Sequence, residues 1–227
     1  MQEISRQLVL FGDFSSMNFQ QISDAFKGPI NQFNLTISAI QDEIESINQV
    51  QITLPANPPI RPMFENKNFG IRVLFLSKKI RIIGESGLLN NSVDVFEKLC
   101  KSIIEALCAL SIEIFRVGVN GSGVVLNSEK IKNVYNYFFN ANEFSSDNTN
   151  DWSFKTNKRT KFVLDSNNTL VVNNIVSAIT GLFNNLYALQ LNYDFNNVPG
   201  KDLVFSKDDL LRFIRDGYKY REKVLRL

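Results

Sequence analysis

Three long segments in the second half of the chain, Trp152–Leu164, Thr169–Leu182 and Asn185–Phe195, are separated only by Asp165-Ser166-Asn167-Asn168 and Phe183-Asn184. A parallel crossover needs a dozen residues or more, whereas antiparallel neighbours can be joined by two. The spacing therefore predicts an antiparallel meander. Earlier segments fit the same scheme. Phe69–Leu76 and Lys79–Gly84 meet at Ser77-Lys78, and Gln7–Phe11, Phe33–Ile40 and Ile112–Val119 alternate as half-buried strands do. A further alternation, Val50, Ile52 and Leu54, ends at Pro55.

Helices are expected between these strands. Around Asp94–Leu110 the apolar residues Val95, Phe96, Leu99, Cys100, Ile103, Ile104 and Leu107 recur at steps of three and four, with Ser92 or Asp94 as caps. A second helix is expected from Ser128, with Ile131, Val134, Tyr135 and Phe138 on one side. A third follows Ser206, where Asp208 and Asp209 favour the positive end of the helix dipole. A short one at Phe19–Phe26 is closed by Gly28-Pro29, and Asn120-Gly121-Ser122-Gly123 is read as a turn. The reading is an α+β fold with antiparallel sheet and packed helices, which accommodates two similar α+β halves. The Pro-rich stretch Pro55, Pro58, Pro59, Pro62 is an extended connector. It divides an N-terminal α+β region, 1–60, from a main α+β domain, 61–227, unless the two are continuous.

The 227 residues contain no histidine. That removes Ser-His-Asp and Cys-His nucleophilic catalysis and histidine-based zinc chemistry. The two cysteines, Cys100 and Cys108, lie eight apart on one predicted helix. That step spans about 12 Å of helix axis, too far for a disulfide. They read as reduced packing residues, and two thiols hold neither a four-cysteine zinc site nor an iron–sulfur cluster. No catalytic residue, metal or cofactor is assigned, and the chain leans away from enzymes. The start, Met1-Gln2-Glu3, has no signal-peptide pattern, and no apolar run reaches membrane-spanning length. A cytoplasmic location without membrane partners is expected.

Two residue groups remain as candidate sites. Arg72, Lys78, Lys79 and Arg81 on one pair of strands, with Lys155, Lys158, Arg159 and Lys161 on a later strand, are candidates for nucleic-acid contact; Arg61 and Lys67 flank the first group. Phe64, Phe69 and Phe75 lie among the first group, but strand parity places Phe75 on the apolar side, so these phenylalanines read as core, and basic residues also suit a protected sheet edge. Asn192, Asp194 and Asn196 alternate along one strand as a polar face. Magnesium-dependent phosphoryl transfer or hydrolysis at Asp194 requires a further carboxylate beside it; Asp165, Asp208 and Asp209 read as turn and helix-start residues. Gly118–Gly123 lacks the spacing of a phosphate-binding loop.

Ile114-Phe115-Arg116-Val117-Gly118-Val119-Asn120, Leu189-Gln190-Leu191-Asn192-Tyr193-Asp194 and the helix introduced by Phe205-Ser206 resemble, together with the Pro-containing N-terminal segment, a sporadically distributed, functionally uncharacterised family of bacterial proteins about 250 residues long. The resemblance implies no activity. It points to a bacterial accessory protein, encoded beside a partner in a defence or mobile-element cassette. The leading expectation is a non-enzymatic interaction subunit or adaptor with a protein partner or self-association. Nucleic-acid binding through strands 61–81 and 155–161 is the second, and the magnesium enzyme the third.

Overall fold

The computed structural model of the chain describes residues 2–42, 59–85, 89–139, 152–183, 186–198, 200 and 203–227. Among these residues nine strands join in one antiparallel sheet. In chain order the elements are β1 (Gln2–Gly12), α1 (Phe19–Ala25), α2 (Lys27–Gln32), β2 (Thr36–Gln41), β3 (Ile60–Asn66), β4 (Ile71–Phe75), β5 (Lys79–Glu85), α3 (Leu89–Ala109), β6 (Ile114–Val125), α4 (Ser128–Phe139), β7 (Ser153–Val163), β8 (Thr169–Phe183), β9 (Leu186–Asn197) and α5 (Lys207–Leu225). Across the sheet the order is β2-β3-β4-β5-β1-β6-β9-β8-β7. This is the expected antiparallel α+β class.

The order contains a repeat. β1 and β6 lie antiparallel at the centre. Outward from β1 come β5, β4, β3 and β2, and outward from β6 come β9, β8 and β7, each series in reverse chain order. Each half starts with its central strand, crosses through helix to its outer strands, returns inward by a meander and closes with a long helix, α3 or α5. β2 is the extra strand of the first half. Strands from either side of residue 60 share this one sheet.

Alternation along the strands sends one set of side chains to a single core layer. Leu8 and Leu10 of β1, Ile80 and Ile82 of β5, Val117 and Val119 of β6, and Leu189 and Leu191 of β9 are buried there, under Phe96, Leu99, Ile103 and Leu107 of α3 and Leu210, Phe213 and Ile214 of α5. Phe213 lies against Phe162, Phe195 and Phe205, with ring centroids 5.3, 4.8 and 5.5 Å away. Phe26, just beyond α1, and Phe64 of β3 meet Phe75 of β4 at 4.5 and 5.0 Å. Phe138 of α4 stacks on Phe154 of β7 at 4.2 Å. All five helices thus pack on the same face, and among the described residues none covers the other.

One ionic cluster is buried within the core layer. Arg221 of α5 donates to both carboxylate oxygens of Glu3 on β1, at 2.6 and 2.7 Å, and the Tyr193 hydroxyl donates to Glu3 Oε1 at 2.9 Å. Arg6 pairs with the same carboxylate and lies over the Phe96 ring. Burial alone would raise the Glu3 pKa, but the hydrogen bonds and charges of Arg221 and Arg6 outweigh it and hold the carboxyl below its ordinary value.

Several local expectations are corrected. Gly28-Pro29 does not end the first helix but sits in the first turn of α2, where proline is tolerated. Phe33 is the C-cap of α2, so the strand expected from Phe33 starts at Thr36 after a left-handed Asn34. Pro62 lies inside β3, paired with Ala39, rather than in a connector. Val50, Ile52, Leu54, Pro55 and Pro58 lie outside the described residues. α3 begins at Leu89, so Ser92 and Asp94 are within the helix and do not cap it. The largest change is at Asn120-Gly121-Ser122-Gly123, which is not a turn: β6 runs straight through it to Val125. A Cβ on Gly121 would stand 2.3 Å from the Ser5 carbonyl oxygen and 2.5 Å from the Tyr193 hydroxyl. Glycine serves close approach here and not a bend.

Candidate nucleic-acid interface

The face opposite the helices is built from the alternate residues of each strand, and the pairing registers align them into rows. One row runs Lys161, Val171, Val198, Arg116, Phe11, Lys79 across β7, β8, the end of β9, β6, β1 and β5. The next runs Arg159, Asn173, Asn196, Gly118, Val9, Arg81 and continues through Leu74 and Met63. A third runs Asn157, Ile175, Asp194, Asn120, Gln7, Ile83, Arg72, Glu65. A fourth runs Lys155, Ser177, Asn192, Ser122, Ser5, Glu85.

Six of the eight basic candidates therefore share one face: Arg72, Lys79, Arg81, Lys155, Arg159 and Lys161. Asn192, Asp194 and Asn196 are on it too. The structure places Lys158 on the opposite face, beside Phe138 and Phe154 under α4, and Lys78 at the β4–β5 turn, 3.0 Å from Asp13. Arg61 is buried, donating to the Phe14 carbonyl at 3.2 Å and to Ser77 Oγ at 2.5 Å, a structural role. Lys67 points to solvent beside Glu65.

These rows hold seven basic and three acidic side chains, whereas the whole chain has 25 basic and 23 acidic. The first two rows carry five of the bases and no acid between β7 and β5. At about 4.8 Å per strand, that cationic band crosses roughly 24 Å of sheet. The acids are elsewhere: Glu85 pairs with Arg72, and Asp194 lies between Asn120 and Ile175.

Between and beside the cations the face is rich in amides and hydroxyls. Asn157 donates to Asn173 at 3.1 Å and Asn173 to Asn196 at 3.2 Å, a ladder across three strands. Gln190 donates to Asn192 at 3.0 Å, Asn192 to Ser177 at 3.4 Å, and Ser5 and Ser122 meet at 2.7 Å. Gln7, with its amide turned to suit its neighbours, donates to Asn120 at 3.1 Å and accepts from Arg81 Nε at 2.6 Å. These bonds hold short polar side chains in fixed positions.

Arg116, Asn120, Asn157, Asn173 and Gln7 were not among the residues picked from the sequence. Reading a turn at Asn120–Gly123 broke the parity that would have placed Arg116, Asn120 and Ser122 on the face. Asn173 had a signal of its own, since it has odd parity in a strand whose even positions include the apolar Leu170, Val172, Val176 and Ala178.

Magnesium chemistry finds little geometry. Among the described residues no group of three or more metal-binding side chains converges, and the neighbours of Asp194 across the strands are not carboxylates. Asp209 instead accepts from the Asp165 backbone at 3.1 Å and from Arg212 at 2.5 Å while Ser206 caps α5, which gives Asp165 and Asp209 a structural role. Among the described residues no helix is long and apolar enough to cross a membrane. No family model matches the chain, and no curated protein is similar to it at a significant level.

Proposed function

We propose that this protein binds nucleic acid across the face of its sheet opposite the described helices. The observation that carries the reading is the band of Lys161, Arg116, Lys79, Arg159 and Arg81, which the sheet assembles from three strands far apart in sequence, β7, β6 and β5, and in whose two rows no acidic residue stands among the described residues. Phosphates attract such a band, and fixed amides beside it supply hydrogen bonds to sugars and base edges. Binding is measured by fluorescence anisotropy of labelled oligonucleotides over a salt series. Counterion release gives a slope in log K against log salt of about −0.9 per phosphate contact on a duplex, so four or five contacts predict about −4. Affinity that is absent at low salt, or that does not change with salt, overturns the reading.

A second reading, an interaction subunit of a bacterial accessory system, is favoured by the β8–β9 hairpin. Beyond the last pairs with β7 and β6 it continues through Gly181–Ala188, Leu182–Tyr187 and Phe183–Leu186, with Leu182 and Leu186 78% and 58% exposed. Exposed leucines on a projecting hairpin suit a protein partner. Co-purification that is lost on Leu182→Asp and Leu186→Asp substitution, and survives nuclease, supports it; co-purification unchanged by the substitutions counts against it.

A further inference from the structure

The proposed face also discriminates among nucleic acids, and we infer that its ligand is an A-form duplex, double-stranded RNA foremost. This rests on the reading above and deepens it. Single strands are held by stacking bases on exposed aromatic rings. In the four rows the one ring among the described residues is that of Phe11, and the Arg116 guanidinium lies over it at 4.8 Å from its centroid. The described residues of these rows form no platform for unstacked bases.

B-form DNA fits no better. Its major groove, about 12 Å wide, admits a helix or a two-stranded ribbon, and a band of roughly 24 Å built on five-strand spacings cannot enter it. Sheets that read the B-form minor groove pry it open with apolar wedges inserted between base steps. Between β7 and β5 the apolar side chains of the cationic rows are Phe11, whose ring lies under the Arg116 guanidinium and not free as a wedge, and Val9, Val171 and Val198, short side chains of which Val9 is itself buried among its neighbours.

The minor groove of an A-form helix is wide and shallow, and it displays 2′-hydroxyls that both donate and accept hydrogen bonds. Asn157, Asn173, Asn192, Gln190 and Ser177 are short groups with the same dual capacity, arrayed over adjacent strands at the level of the sheet surface. A broad surface of this kind meets a shallow groove without distorting it, and the cationic band then lies along the flanking phosphates. The recognition is of shape and sugar, and so largely independent of sequence.

The test compares one sequence as double-stranded RNA, RNA–DNA hybrid, double-stranded DNA and single-stranded RNA, by anisotropy at fixed salt with the intact protein. Double-stranded RNA is expected to bind about tenfold or more tighter than DNA duplex or single strand, with the hybrid between. Asn157→Ala with Asn192→Ala is expected to weaken binding of double-stranded RNA several-fold more than that of the DNA duplex and so narrow the gap between them, and Arg159→Glu is expected to weaken both about equally. Preference for single strands or DNA duplex, or a gap unmoved by the amide substitutions, overturns the inference while the nucleic-acid reading stands. No binding to any of the four overturns both.

Discussion

Arg221 in the last helix holds Glu3 in the first strand through two hydrogen bonds of 2.6 and 2.7 Å, a fork-on-fork pairing almost shut off from solvent. It ties α5, which closes the second half, to β1, the central strand of the first. Tyr193 of β9 and Arg6 of β1 complete the arrangement.

Removing one partner of a buried pair leaves the other charge uncompensated, so Arg221→Met is expected to destabilise by about 3 kcal/mol or more. Chemical denaturation of the two proteins measures this. The Glu3 pKa is lowered in the folded state, so its ionisation contributes stability that is present above the unfolded value of 4.5 and lost as pH falls through the folded value. The stability gap between wild type and Glu3→Gln is therefore predicted to close below pH 4.5. A gap that is constant through that range contradicts the assignment.

Gly121→Ala is expected to cost about 1–3 kcal/mol, because its methyl group meets a backbone carbonyl at 2.3 Å as well as the Tyr193 hydroxyl at 2.5 Å. Adding Tyr193→Phe removes the hydroxyl but leaves the Ser5 carbonyl. The double variant should remain less stable than Tyr193→Phe alone in thermal unfolding. Equal stability of the two would mean that β6 has room at this point.

Cys100 is buried in α3, and that burial pushes its thiol up to about 12, while Cys108 on the same helix is half-buried and its thiol is raised by burial to a lesser extent. A thiol reagent should modify Cys108 in the native protein and reach Cys100 only on unfolding. Mass spectrometry of peptides after timed labelling reads the order, and early modification of Cys100 contradicts the packing of α3.

Much of the fold was legible because periodicity and turn length are local. The hairpin through Ser77-Lys78, the three-strand meander ending near Asn197, the amphipathic face of α3 and the Ser206 cap of α5 all follow from residues near one another in sequence. What was not legible depends on distant partners. Gly121 resembles a turn glycine until Tyr193, 72 residues later, is found beside it. Pro62 resembles a connector residue until β2 is paired with β3. The site shows the same division. Parity within β7 could separate Lys158 from Lys155, Arg159 and Lys161, but that Arg159 and Arg81 occupy one row depends on β1, β6, β8 and β9 lying between them.

That parity gives the most direct test of the central claim. Arg159 and Lys161 face the open side of β7 and Lys158 faces the helices, so three charges within four residues of one edge strand belong to opposite surfaces. Nucleic-acid affinity is measured by anisotropy for wild type, Arg159→Glu with Lys161→Glu, and Lys158→Glu, after thermal unfolding shows all three folded. The open-face pair is predicted to lose affinity about a hundredfold, the equivalent of roughly 2.7 kcal/mol, and to flatten the salt dependence, while Lys158→Glu stays within about threefold of wild type. Equal losses from both variants would mean that bulk charge and not the face is being read, and unchanged affinity in the open-face pair would contradict the proposed interface.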